Sequence, residues 1–427
     1  MATYADNSSG APVDQPAPVA VAGNRIASLD FIRGIAVMGI LAANIVAFGQ
    51  PFQAYMFPGA FTTPHGEAEN WMWVAQFLVI DGKMRGLFSL LFGAGLYLFM
   101  ERAWERGAGR GLQVRRLLFL GLFGLIHFFL IWRGDILFLY ACAGLAALLF
   151  IRLSAKRQMV LGVLGYIGGA ILYAAFTIPL QFVADTPQDN APAPVAEMRE
   201  GLDKGKRVDL TDAAVEDRLH ETGSYADIVT HRVSEHWDDL AATLFLFAFE
   251  TLPLMLIGMA LYRLGLFDGR MSRKVPLWGS TGLIVGGVLT LWIALATKNA
   301  GLTYYGTLAA FTGWSPIPRL LMTLGLAALL ALYGARASGW LAERISAAGR
   351  AAFTNYLGTS VVMVLVFDGW AGGLFGDLTR GQLYLVVIAA WALMLAWSKP
   401  WLARYRYGPL EWLWRCLTYG RRFALRR

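Results

Sequence analysis

Imidazole takes up and releases a proton near neutral pH without large tuning of its pKa. His127 places that group inside an apolar run, "LIHFFLIWRGDILFLYA". It follows Arg116 by eleven residues. At 1.5 Å per residue that sets it about 16 Å into a helix, near the middle of a bilayer. The same run carries Arg133 and Asp135 in an "RGD" hairpin, suited equally to a turn and to holding a polar substrate. Glu250, in "LFLFAFETLPLMLIGM", falls at a similar depth, just before Pro253, which should kink its helix. A carboxylate buried in oil must be protonated or paired. A His127–Glu250 pair is therefore one arrangement open to the chain, and two separate packing roles are the other.

Two further groups carry charge into apolar surroundings. In "LDFIRGIAVMGILAAN", Arg33 and Asn44 are eleven positions apart, nearly eclipsed at 100° per residue, and Asp30 stands about 60° away. The three form one stripe, which either lines a path or only seats the helix end through an i, i+3 ion pair. In "DGKMRG", Asp81, Lys83 and Arg85 open another apolar run. Cations there point to an anionic or carboxylate partner, or to lipid headgroups reached by snorkelling. His65, His220, His231 and His236 lie in polar connections. No GxSxG, Walker loop, HExxH or CxxC pair occurs, and Cys142 and Cys416 have no metal-ligand spacing. No metal site is expected.

The elements that must position these residues follow from composition. The chain has 427 residues, 57% hydrophobic and 15% charged, with a net charge of +8. A soluble chain needs about a quarter of its residues charged, and apolar runs of spanning length recur along almost the whole sequence. The basic residues fall in short bursts between those runs, so they mark membrane topology and not a nucleic-acid partner. Helices are predicted near 26–48, 81–100, 116–132, 135–151, 159–182, 240–262, 275–297, 317–335, 350–370 and 381–399. The fold class is all-α, a polytopic membrane helical bundle with about ten transmembrane helices. "ERAWERGAGRGLQVRR", "RLSAKRQ", "YRLGLFDGRMSRK", "RASGWLAERISAAGR" and the final "RRFALRR" share one side if ten helices alternate. That side is expected to be cytoplasmic, with both termini facing it.

Residues 1–24 have neither a basic n-region nor an apolar core, and read as a disordered tail and not a cleaved signal. Residues 25–427 form a single integral membrane domain with an extracytoplasmic polar loop at 183–239, much of it amphipathic helix. The helices divide five and five about this loop, but no motif recurs between the halves. Gly165–Gly169 and Gly282–Gly286 are GxxxG spacings that read as close helix packing.

The segments "RIASLDFIRGIAVMGILAANI", "DGKMRGLFSLLFGAGLYLF", "RGDILFLYA", "GRAAFTNYLGTS" and "YGPLEWLWRCLTYG" resemble the YeiB-like family, domain of unknown function 418. Thr359 stands where the pattern has a glutamine. The family is similar, more distantly, to transmembrane acyltransferases of the acyltransferase-3 and heparan glucosaminide acetyltransferase groups. The resemblance matches Arg33 to an arginine of the first helix and puts Asn44 where the acyltransferase-3 group has histidine. It sets His65 in the loop that carries the catalytic histidine of the second group.

What this implies is acyl transfer from a cytoplasmic donor to an extracytoplasmic glycan or lipid acceptor. Acyl-coenzyme A would be the co-substrate, and no cofactor is expected to be permanently bound. The resemblance leaves the base unidentified; from the residues themselves His127 is the expected base, with His65 as rival, and Glu250 is a third catalytic candidate that would relay protons with His127 in a transporter. Asp30, Arg33 and Asn44 would face the donor, and Lys83, Arg85, Asp135 and Asn355 the substrate. The alternatives are a proton-coupled small-molecule transporter and a non-catalytic membrane assembly protein. The expected setting is the cytoplasmic membrane of a bacterium; the oligomeric state is left open.

Overall fold

A computed structural model describes residues 26–186 and 192–427. The tail at 1–24 and a few residues of the 183–239 connection lie outside the described residues. Every predicted span coincides with a helix. These are α1 (Ala27–Gly49), α3 (Lys83–Trp104), α4 (Arg110–Ile126), α5 (Leu137–Ala147), α6 (Ala155–Asp185), α9 (Asp239–Arg263), α10 (Val275–Asn299), α12 (Pro316–Gly334), α14 (Ala352–Phe367) and α15 (Arg380–Arg404). Between them lie α2 (Glu67–Val79), α7 (Ala193–Thr222), α8 (Tyr225–Glu235), α11 (Tyr304–Ala309), α13 (Trp340–Arg350) and, last, α16 (Pro409–Tyr419). Among the described residues seven helices are long and apolar enough to cross a membrane; α13 with α14, bent by 85°, makes an eighth. α3 spans 22 residues but is charged at both ends, and α5 has 11. The chain is a polytopic, all-helical membrane bundle.

The bundle is centred on α1, whose apolar window is 72% buried against 22% for α6 at the periphery. α1 touches α3, α12, α13, α14 and α15. Small residues set the tightest crossings, as van der Waals packing in lipid requires. A Cβ on Gly93 of α3 would stand 2.0 Å from the Met255 carbonyl of α9, and one on Gly258 2.0 Å from the Leu90 carbonyl. The predicted GxxxG packing is present too: Gly169 abuts Phe249, and Gly282 and Gly286 abut the backbone of α12.

The basic connections gather at one end. Ile26–Ser28, Glu101–Glu105, Phe267–Asp268 and Ala335 line one cavity there, Arg263 donates to the Leu153 carbonyl, and Trp414 of α16 donates to the Arg116 carbonyl. The amphipathic α7 and α8 lie across the opposite end. Tyr304 donates to Asp209 at 2.7 Å, Tyr225 to the Leu130 carbonyl at 2.7 Å, and His220 pairs with Asp368 at 2.9 Å. Buried Glu216 bonds to Arg133.

Two departures from regular helix matter for the interior. The chain descends through α2, turns at Ile80–Gly82 with Gly82 at φ 71°, and restarts as α3. The backbone also widens into π-turns at His127–Ile131 and Ala310–Trp314; such turns are rare and leave carbonyls unsatisfied. Arginines take those carbonyls. Arg232 donates to Phe128 and Phe129 at 3.4 and 3.3 Å, and Arg319 donates to Phe311.

Candidate functional site

The π-turn at the end of α4 places His127 against the start of α5. His127 Nδ1 lies 2.8 Å from Asp135 Oδ1, with both side chains fully buried. Asp135 Oδ2 accepts the Phe138 N–H at 2.8 Å, which fixes the carboxylate on the first turn of α5. The two helices meet here because residue 124 is glycine: a Cβ would stand 2.4 Å from Phe138 N and 2.9 Å from Asp135 Oδ2. A carboxylate accepts, so Nδ1 is the nitrogen placed to donate to Asp135, and in a neutral ring Nε2 then carries the lone pair. Nε2 is buried with no hydrogen-bond partner. An imidazole oriented by a carboxylate, with its other nitrogen free, is built as a general base. Depth alone suggested Glu250 as the partner of His127; the partner is Asp135, the hairpin residue eight positions on.

Beside this dyad, towards the basic end, is a cavity of about 230 Å³. Its walls are apolar, from Phe88, Leu91, Phe92, Leu120, Phe353 and Trp414, and it also meets Arg33, Arg116 and Arg350. Tyr356 lines it and lies between it and the dyad, its ring centroid 5.2 Å from that of His127. The Tyr356 hydroxyl accepts the Ile136 N–H at 3.4 Å. Arg33 pairs with Asp30 at 3.2 Å. Glu411, from the closing "YGPLEW" segment, accepts from Phe353 N, Thr354 N and Thr354 Oγ1 and so ties α16 to α14.

Glu250 stands apart, held between two arginines: Arg85 Nη2 at 2.9 Å and Arg319 Nη1 at 3.0 Å, both on Oε2. These residues line a second cavity, of about 30 Å³, with Gly82, Tyr55, Tyr166, Phe247 and Phe249. Gly82 is required twice, by its positive φ and by the Arg319 guanidinium, whose Nε would sit 2.4 Å from a Cβ there. The Ser89 and Tyr140 hydroxyls are 2.7 Å apart, and both reach the Arg85 carbonyl, at 3.0 and 3.1 Å.

Above Glu250, buried Asp81 accepts from Gln76 at 3.2 Å, and Gln76 accepts from Arg380 at 2.6 Å. Arg380 Nε donates to His65 Nε2 at 3.2 Å, and His65 Nδ1 faces Asn70 Oδ1 at 3.1 Å. Both His65 nitrogens are thus engaged. Burial first, then the Arg380 charge, lower its pKa to about 4. That leaves His65 neutral but without a free lone pair, the requirement it would have to meet as rival base. Lys83 is buried and donates to the Phe77 carbonyl.

Two expected contacts are replaced by packing. Asn355 donates to the Ala348 carbonyl at 3.0 Å and Ser398 at 3.2 Å, and accepts from Trp397 at 2.9 Å. Both of its N–H groups and one lone pair of its oxygen join the bent α13–α14 pair to α15. Asn44 lines neither cavity. Arg319 and Arg380 were not singled out from sequence. The one signal in the sequence for Arg319 is a charge within the apolar "PIPRLLMTLG"; Arg380 opens α15 and carries no such signal.

Residues 261–421 match a family model described as "Protein of unknown function (DUF418)". Over 402 residues the chain is 30% identical to "Uncharacterized protein YeiB" of Escherichia coli (strain K12), covering 92% of this chain and 96% of that one. The chain belongs to the YeiB-like DUF418 family. A second relative, "Uncharacterized protein YxaH" of Bacillus subtilis (strain 168), is 30% identical over 411 residues, 92% of this chain and 94% of that one. No solved structure matches. In this YeiB-like chain the segment matched by the family model supplies Arg319, Arg350, Tyr356, Arg380 and Glu411. The dyad, Arg85 and Glu250 precede it, within the length shared with both relatives.

Proposed function

We propose that this protein is an acyltransferase of the bacterial cytoplasmic membrane, moving an acyl group from a cytoplasmic acyl-coenzyme A to an extracytoplasmic glycan or lipid hydroxyl. The observation that carries the reading is the cavity that meets Arg33, Arg116 and Arg350 at the basic end and is lined by Tyr356, whose ring packs against His127 of the His127–Asp135 dyad. The arginines suit donor phosphates, which guanidinium groups bind bidentately, and the apolar walls suit the pantetheine and acyl chain. His127 Nε2 takes the proton of the acceptor hydroxyl as its oxygen attacks the thioester carbonyl. The Tyr356 hydroxyl, which accepts from Ile136, keeps its own proton to donate towards the developing oxyanion. The intermediate collapses, the C–S bond breaks, and the thiolate leaves with the proton held on His127. Asp135 keeps Nδ1 protonated throughout and stabilises the imidazolium.

The test is transfer of a labelled acyl group from acyl-coenzyme A in membranes holding the wild type or His127→Ala at equal levels. The expected result is loss of transfer in the variant; unchanged transfer removes His127 from the mechanism. A second reading, a proton-coupled transporter, rests on the presence of two cavities, one beside His127 and one at Glu250. Counterflow of a labelled solute in proteoliposomes, with no covalent product, would favour it.

A further inference from the structure

The fork made by Arg85 and Arg319 is not used by the proposed chemistry, and its charge does not balance. Lys83, Arg85, Arg319 and Arg380 converge on the broken α2–α3 segment, and the carboxylates facing them are Asp81, Glu250 and, at Arg380, Glu69. Lys83 and Arg380 spend their hydrogen bonds on neutral acceptors: the Phe77 carbonyl, His65 and Gln76. Asp81 bonds to Gln76. Four formal positive charges thus face three negative ones, and an uncompensated buried charge is costly. The fork also has unused capacity. Arg85 Nε, Arg319 Nε and Glu250 Oε1 are all buried with no hydrogen-bond partner. Arg319 is 5% exposed and Glu250 8%.

We infer that the Arg85–Arg319 fork is an oxyanion-binding site in which the Glu250 carboxylate holds the place of the ligand. The cavity beside it, about 30 Å³, has room for little more than water while Glu250 is in place. A phosphate or carboxylate enters by displacing that side chain, and its charge offsets the excess. One wall is Leu246, Phe247, Phe249 and Tyr173. Phe249 is 41% exposed on the side of the bundle turned to lipid. An oxyanion carried on an apolar chain, such as the phosphate of a membrane lipid, meets both the fork and that wall; free phosphate meets the fork alone. The inference stands apart from acyl transfer, because binding is read without turnover.

The experiment compares wild type, Glu250→Gln and Arg85→Gln in phosphatidylcholine nanodiscs. Binding and thermal midpoint are followed with added phosphatidylglycerol, and separately with inorganic phosphate against chloride at matched ionic strength. Arg85→Gln leaves the Arg319–Glu250 pair intact. Phosphatidylglycerol should stabilise the wild type. It should bind Glu250→Gln roughly tenfold more tightly, as expected when a competing charged acceptor is removed. It should give Arg85→Gln no shift. A response to phosphatidylglycerol alone assigns the site to a lipid headgroup, one to phosphate alone to a soluble anion, and one to both to any accessible oxyanion. If Glu250→Gln is not recovered folded, the wild type against Arg85→Gln decides. No shift in the wild type, or an equal shift in Arg85→Gln, overturns the inference.

Discussion

At the scale of the residue, the dyad depends on a proton being on the right nitrogen. Asp135→Asn keeps the shape of the side chain but lets an amide face Nδ1, so the tautomer with a free Nε2 is no longer enforced. Acyl transfer should then fall by about 10²–10⁴-fold, mostly in kcat; kinetics within threefold or so of wild type would mean that Asp135 does not orient the base. His127 was legible in the sequence because an imidazole in oil is conspicuous. Its partner was not, because residues at equal depth on different helices need not touch. Glu250 instead faces Arg85 and Arg319, and Asp135 reaches His127 only through a π-turn that no periodicity announces.

At the scale of the element, the apolar runs show where the helices are because burial of each run is compulsory in lipid. The breaks were not legible, since they are set by contacts between helices: Arg319 over Gly82, and Gly349 against the Asp30 carbonyl where α13 crosses α1. The α3–α9 crossing is equally strict. Gly93→Val, forced against the Met255 carbonyl, should cost about 1–3 kcal/mol and lower the thermal midpoint; an unchanged midpoint would mean the crossing can open freely. The cap has a pH dependence of definite sign. Burial opposes a charge on His220, but its bonds to Asp368 and Glu216 outweigh that and raise its pKa from 6.5 to about 9. The raised value stabilises docking of α7 fully below pH 6.5 and is lost as pH rises through about 9. Hydrogen exchange in α7 should therefore increase across this range in the wild type. In His220→Gln it should be fast at both ends of it.

At the scale of the whole molecule, the bundle holds two cavities, one meeting Arg33, Arg116 and Arg350 at the basic end and one lined by Arg85, Glu250 and Arg319. The topology that gives this polarity was readable from charge, because the five basic connections meet at one end. What the cavities hold was not, because neither is made by consecutive residues. In the proposed acyl transfer, the cavity that meets Arg33, Arg116 and Arg350 receives a coenzyme A donor. The most direct measurement is the thermal midpoint of the purified protein with and without coenzyme A or acetyl-coenzyme A, since a ligand bound only by the folded state must raise it. At about a hundred times Kd the gain is roughly 2.7 kcal/mol. A clear upward shift is predicted for the wild type, and a much smaller one for Arg116→Gln. No shift in folded wild-type protein, or the same shift in Arg116→Gln, would contradict the account.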